Sequence, residues 1–321
     1  MFAGEFVFGF GAHSGIDDGS ELLRMAEQAD RDGLNVFSLS DHPYLGERLD
    51  AYAAVGFILG RTQHIAGLTN VTNLPTRPPA MLARTVTSLS ALSGGRIVLG
   101  MGAGGRWDRI AAMGVPRLSP ADAVDAFEEA ITLVKLLSGG GPPVTYQGRY
   151  YQVDQIEPAS APAPAVWTGS VGPKSLAATG RVADGWIPGH AADWRSDRYR
   201  ISRPIIDDAA TAAGRDPREV RTVFNFPGRI TARPLTAPRD RDGRWIGGSA
   251  DQWVEELTAG VLEHGASGFI LFSPSGGTTD IVSLGHWANE IVPAIREAIS
   301  KENTPSALNH PSSHEGHASI I

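Results

Sequence analysis

The chain of 321 residues contains no cysteine. Disulfides, thiolate zinc sites, Fe–S clusters and cysteine nucleophiles are therefore excluded. Lysine is scarce: only Lys135, Lys174 and Lys301 occur, so a lysine Schiff base has few candidates. No run of 18 apolar residues is present, so no membrane-spanning helix is expected. No basic segment precedes an apolar stretch after Met1, so no signal peptide is read and a cytoplasmic location is expected. Basic charge is also in deficit. The 28 Lys and Arg face 35 Asp and Glu, a net charge of −7, which argues against general nucleic-acid binding.

What is present suits a globular enzyme. The chain is 42% hydrophobic, too apolar for a disordered segment, and its 38 glycines and 22 prolines punctuate short elements. Apolar runs without alternation fall at Glu5–Phe10, Val36–Leu39, Ile65–Thr69, Ile97–Met101, Ala165–Thr168, Gly185–Pro188, Arg221–Ile230 and Gly268–Phe272. Such runs fit parallel strands buried on both faces. Helical periods lie between them. In Pro120–Ser138, Val124, Phe127, Ile131, Val134 and Leu137 recur at three- and four-residue spacing, with Ser119 as N-cap and Gly139 after the end. A last helix is expected over Asp280–Ser300.

Eight strand–helix repeats predict a single (β/α)8 TIM barrel over residues 1–300, with an open doubly wound sheet as the alternative. An inserted hairpin is expected within Gly139–Pro164, over the barrel. The polar segment Arg233–Gly248 reads as a mobile loop, a candidate lid. Residues 301–321 read as a disordered tail. Its His310, His314 and His317 are read as solvated rather than as metal ligands, and no metal is expected.

Four stretches carry candidate chemistry. Leu39-Ser40-Asp41-His42-Pro43 places two polar groups at the end of the second strand, where a barrel holds its site. A capping Asp beside a packed His is the alternative reading. The stretch from Leu68 to Ala80 offers Thr72 and Asn73 at the rim, although on composition it is a turn before a proline-started helix. Gly94–Gly105 ends the fourth strand in glycines that let backbone approach a ligand, without the acidic residue of a dinucleotide site. Trp167–Leu176 runs from a strand through a Gly/Ser loop into a helix N-terminus, suited to a phosphate, with Lys174 adding charge. The loop Ser273–Gly277 competes for that role.

These motifs resemble, in order, those of the bacterial luciferase-like monooxygenase superfamily. SDH, VTNLPTRPPAMLAR, LSGGRIVLGMGAGG and TGSVGPKSLAATGRVADGWIPG are nearest to its branch that uses deazaflavin coenzyme F420. The likeness spans roughly residues 5–300. It implies a TIM barrel with an isoalloxazine-type ring at its mouth. Asp41 would hydrogen-bond the ring, and His42 would act on the substrate. A non-prolyl cis peptide at Asn70–Val71 would press against the ring, and Asn73 would reach its pyrimidine edge. Gly102 to Gly105, Gly104 among them, would line the ribityl or phosphate side, and Gly169, Ser170, Val171 and Gly172 the phosphate, with Lys174 near.

Two departures stand out. The Glu that deazaflavin sugar-phosphate dehydrogenases of this family carry after the strand-four glycines is absent; Gly104-Gly105-Arg106-Trp107-Asp108 stands there, with Asp108 a weak substitute. Their Trp after SDH is also missing, where Pro43-Tyr44-Leu45-Gly46 stands. Sugar phosphate is thus not the expected substrate. Hydride transfer between F420 and a small, uncharged, fairly apolar alcohol, carbonyl or enone is expected, in a pocket of Tyr44, Trp107 and Trp186, with Trp194 near. The alternative is an FMN-dependent two-component monooxygenase fed by a partner flavin reductase. A homodimer is admitted, but no nucleic-acid or membrane partner.

Overall fold

The computed structural model describes residues 2, 4–189 and 192–302. Eight parallel strands close into a barrel: β1 (Val7–Ala12), β2 (Val36–Leu39), β3 (Ala66–Asn73), β4 (Ile97–Gly102), β5 (Ala165–Thr168), β6 (Gly185–Trp186), β7 (Arg221–Pro227) and β8 (Gly268–Phe272). Each strand pairs with its sequence neighbours, and β1 pairs with β8 to close the ring. The open-sheet alternative is thereby overturned. No helix among the described residues is long and apolar enough to cross a membrane.

The absence of alternation in the strands has a direct cause, since the inward and outward faces are both dry. Inside, Val7, Val36, Leu68, Val98, Trp167, Ile187, Val223 and Ile270 pack as one cluster, one residue from or beside each strand. Outside, residues such as Phe8, Phe37 and Phe269 meet the helix ring. Nearer the mouth the interior turns polar. Asn70 Nδ2 donates to Asn225 Oδ1 across the barrel at 2.8 Å.

The helix Pro120–Leu136 starts as its sequence requires. Ser119 Oγ accepts from the Asp122 N–H at 3.1 Å, and Gly139 follows in the left-handed region at φ +87°. The hairpin pairs Val144–Gln147 with Gln152–Ile156. It packs on this helix, where the Glu129 carboxylate accepts from the N–H groups of Arg149, Tyr150 and Tyr151. It contributes no residue to the cavity at the mouth.

The last helix departs from the expected continuous rod. It runs Ile281–His286, then a π-helical turn Trp287–Ile291, then Val292–Glu302. Pro293 brings no N–H, so the ladder loses an i→i−4 bond there and widens. The widened turn sets Trp287 against β1, with Nε1 donating to Gly9 O at 3.1 Å. Lys301 and Glu302 still belong to this helix. The rest of the expected tail, with His310, His314 and His317, lies outside the described residues.

Arg233–Gly248 is not the free lid its composition suggests. Arg239, 12% exposed, pairs with Asp193 at 2.7 Å and Glu256 at 2.6 Å. Gln252 bonds both the N–H and the C=O of Leu235. Trp245 is buried edge-on to Trp253. Composition showed the charges but not their partners, which sit on other segments. Breaking a buried pair strands the opposing charges, so Arg239→Ala is expected to cost about 3–5 kcal/mol in urea unfolding.

Candidate active site

The C-terminal ends of β2, β3, β4 and β5 enclose a cavity of about 620 Å³. That is the size of a pocket for a cofactor or small ligand. Its wall includes Asp41, His42, Tyr44, Val71, Asn73, Gly102, Gly104, Trp107, Gly169, Ser170, Val171 and Gly172.

The geometry starts from Asp41. Its carboxylate, buried just past β2, accepts from Arg77 Nε at 2.9 Å, Arg77 Nη2 at 2.8 Å and the Asn73 N–H at 3.0 Å. One carboxylate thus ties the end of β2 to the end of β3. Arg77 also meets Asp50 at 2.6 Å and lies 4.5 Å above the Tyr52 ring. Burial works against its charge, yet the bonds and charge of Asp41, then Asp50, raise its pKa above the ordinary arginine value. Asp41 therefore serves first as an anchor: its oxygens already hold Arg77 and Asn73.

The anchor fixes an irregular stretch. Register in β3 shifts between Thr69 and Thr72, and the Asn70–Val71 peptide bond is cis, where the resemblance placed it. Tyr52 Oη and Thr72 Oγ1 are 2.6 Å apart; Thr72 Oγ1 donates to Thr69 Oγ1, which donates to Gly100 O. Val71 then presses into the cavity between two glycines. A Cβ on Gly102 would lie 2.8 Å from Val71 Cγ2, and one on Gly169 3.2 Å from Val71. Any larger residue at Gly102 forces the Val71 side chain to shift. The result is an apolar floor, edged by Asn73. The Asn73 Oδ1 is buried and has no partner in the protein. An orphaned buried acceptor beside an apolar floor fits a planar ring that carries an N–H.

His42 and Tyr44 form the next wall. His42 Nδ1 lies 2.9 Å from Tyr44 Oη, and the Asn73 side chain lies against the same phenol. Burial, the largest influence, and the Arg106 charge push the His42 pKa below its ordinary value; Asp41 opposes and Arg48 assists. Burial likewise raises the Tyr44 phenol. The imidazole is therefore neutral near pH 7, with one ring nitrogen engaged by Tyr44 and the other uncommitted.

The Gly169–Ser175 loop closes the far wall. Trp186 Nε1 donates to Ser170 O at 2.9 Å, Thr179 Oγ1 donates to Ser170 Oγ at 2.9 Å, and Ser175 Oγ folds back on Gly172. These bonds hold the loop open toward the cavity at the start of the helix Pro173–Val182. Ser273–Gly277 is a turn closed on itself and lines none of this cavity.

Five expectations need correction. Trp186 is fully buried and supports the Ser170 carbonyl from behind, so it lines no substrate pocket. Lys174 turns away to Asp125, at 2.5 Å, and Ala121 O, because the acidic face of the neighbouring helix attracts it more than the loop does. Asn70 points across the barrel to Asn225 rather than into the cavity. Asp108 is exposed and pairs with Arg117, so it does not stand in for the missing Glu. Trp194 packs in the core against Phe224, Phe226 and Phe269.

Arg77, Tyr52 and Arg106 are what motif reading passed over. Arg77 sat in a quoted motif, but its partner Asp41 is 36 residues away and no periodicity links them.

A closed barrel with a cofactor-sized cradle at its strand ends defines an enzyme of the TIM-barrel class. A sequence profile of the luciferase-like monooxygenase family matches residues 4–261, and the chain belongs to that family. It is 29% identical over 225 residues to the F420-dependent glucose-6-phosphate dehydrogenase of Microbacterium testaceum (strain StLB037), covering 68% of this chain and 66% of that one. It is 30% identical over 194 residues to the phthiodiolone/phenolphthiodiolone dimycocerosates ketoreductase of Mycobacterium kansasii, covering 59% and 49%. The chain thus spans about half to two thirds of the length of these relatives. The coenzyme F420-dependent tetrahydromethanopterin reductase from Methanopyrus kandleri superposes with a TM-score of 0.74 at 18% identity, over 91% of this chain and 99% of that one, a likeness of fold.

Arg77→Gln is expected to lower stability by about 3 kcal/mol, since Asp41 is left buried and under-paired. It should also raise the pH at which His42 titrates, because the Asp41 charge then acts on the imidazole unopposed. Urea unfolding and an NMR titration of His42 read the two effects; an unmoved His42 would disconnect Arg77 from the site.

Proposed function

We propose that this protein is a coenzyme F420-dependent oxidoreductase that transfers a hydride between the deazaflavin and a small alcohol, carbonyl or enone. The observation that carries the reading is the floor at Val71, flanked by Gly102 and Gly169 and edged by the unpartnered Asn73 Oδ1, with His42 on the adjoining wall. The F420 dependence of a relative and of a protein of the same fold supports it.

The bound deazaflavin supplies a carbon-centred hydride carrier that reacts poorly with oxygen. The protein's own work is placement. Val71 and the two glycines present a flat apolar face for the ring. Asn73 Oδ1 would accept a ring N–H. The N–H groups of the loop from Gly169 to Ser175 and the start of its helix favour the anionic side chain of the cofactor. Tyr44 occupies one nitrogen of His42, which leaves the other to act on substrate. Neutral His42 takes the proton of an alcohol as it is oxidised; protonated, it gives one to a carbonyl as it is reduced. Val124 and Trp107 line the cavity and offer apolar contact for the substrate body.

Adding F420 and FMN separately to the protein, with quenching of tryptophan fluorescence followed, tests the cofactor. F420 is expected to bind at micromolar concentration or tighter, about −8 kcal/mol or better, with FMN weaker. Tighter FMN binding with oxygen consumption would assign the site to a monooxygenase.

His42→Ala is expected to lower turnover by about 10²–10⁴-fold while F420 affinity stays within a few-fold. In the oxidative direction kcat/KM should fall as pH drops through the His42 pKa, below the ordinary value of 6.5, because protonation removes the base. A variant with full activity removes His42 from the mechanism.

A further inference from the structure

Arg106 and Arg48 have no place in the mechanism above, yet both charges are felt at His42. Arg106 follows β4, lines the cavity wall with His42 and Tyr44, and is exposed. Its backbone lies in the left-handed region at φ +50°, although it is not glycine. Among the described residues no carboxylate pairs with Arg106 or with Arg48. The Arg48 Nε is buried and has no hydrogen-bond partner. What sets Arg106 apart is its place: it lines the same cavity as His42 without a carboxylate partner among the described residues.

The local charge balance follows. Asp41 is the one carboxylate among the lining residues, and Arg77 already answers it. His42 and Tyr44 are neutral. The His42 wall therefore holds in Arg106 an exposed cation that no carboxylate meets, in a chain whose net charge is −7. The average field repels anions, so cations of this kind matter locally. A planar guanidinium matches the two oxygens of a carboxylate or phosphate.

We propose that Arg106 binds an anionic substituent, a carboxylate or phosphate, that the substrate carries close to the carbon served by His42. The proposal rests on the oxidoreductase reading and sharpens it: the substrate is a hydroxy or oxo compound with a negative group, rather than a wholly uncharged molecule. Arg106 acts there as a specificity-determining residue, and the apolar remainder of the substrate keeps its contacts with Val124 and Trp107.

The test needs no substrate. Inorganic phosphate is titrated into the cofactor-free protein while the His42 ring signals, assigned by their loss in His42→Gln, are followed by NMR. Wild type is expected to give a saturable response, with the His42 titration moved to higher pH as an anion settles beside the imidazole. Arg106→Gln should weaken the phosphate response by about tenfold or more, as for loss of a charged hydrogen bond. Arg106→Lys should retain part of it. F420 affinity, read by tryptophan quenching, should stay within a few-fold of wild type in Arg106→Gln.

Three outcomes overturn the proposal. One is no His42 response in wild type. Another is an equal response in Arg106→Gln, which would place phosphate on the Gly169–Ser175 loop instead. The third is a parallel loss of F420 affinity, which would give Arg106 to the cofactor's anionic tail. If wild type fails to bind F420 yet phosphate still reaches His42 through Arg106, the cofactor reading falls and the anion site stands.

Discussion

The contact between Asp41 and Arg77 governs the site. Two strand ends meet there, and an irregular stretch of β3 depends on where they are held. The buried carboxylate binds the Arg77 guanidinium through two bonds and the Asn73 N–H through a third. Val71 projects between Gly102 and Gly169 because its flanks are fixed, by this pair on one side and by the Tyr52–Thr72–Thr69 bonds on the other. Such a pair repays its desolvation only with good geometry and further bonds, and the Tyr52 ring and Asp50 supply them. The same contact keeps the Asp41 charge from dominating His42, which would otherwise hold its proton more tightly.

Much of the fold was legible because it rests on local rules. Unalternated apolar runs reported strands buried on both sides, and Ser119-Pro120 marked a helix start that the structure keeps. The π-helical turn at Trp287 was less visible; Pro293 was in plain view, but a proline inside a helix can kink, break or widen it. β3 was read as ending at Thr69 but continues through the bulge to Asn73, since Thr72 and Asn73 pair with β4.

The site divides along the same line. Backbone-driven features, the glycine loops and the Asp-His pair after β2, were visible as motifs and come together in one cavity. Side-chain destinations were not. Lys174 adjoins the loop in sequence, yet Asp125 on a neighbouring helix claims it. Trp186 closes a strand, yet its ring turns outward to the helix layer and stacks on Tyr199. Arg77 lies within a motif but takes its meaning from a carboxylate supplied beyond another strand. Long charged side chains choose partners in three dimensions, and short sequence windows do not hold that information.

The segment Arg233–Gly248 bears on traffic through the mouth. Arg239 fastens it to Asp193 and Glu256, Gln252 clasps Leu235, and none of its residues reaches the cavity. A flap held by buried ion pairs cannot swing at each turnover without breaking them. That segment is therefore a fixed part of the barrel rather than a moving cover, and any closure over the cavity falls to the loops that line it.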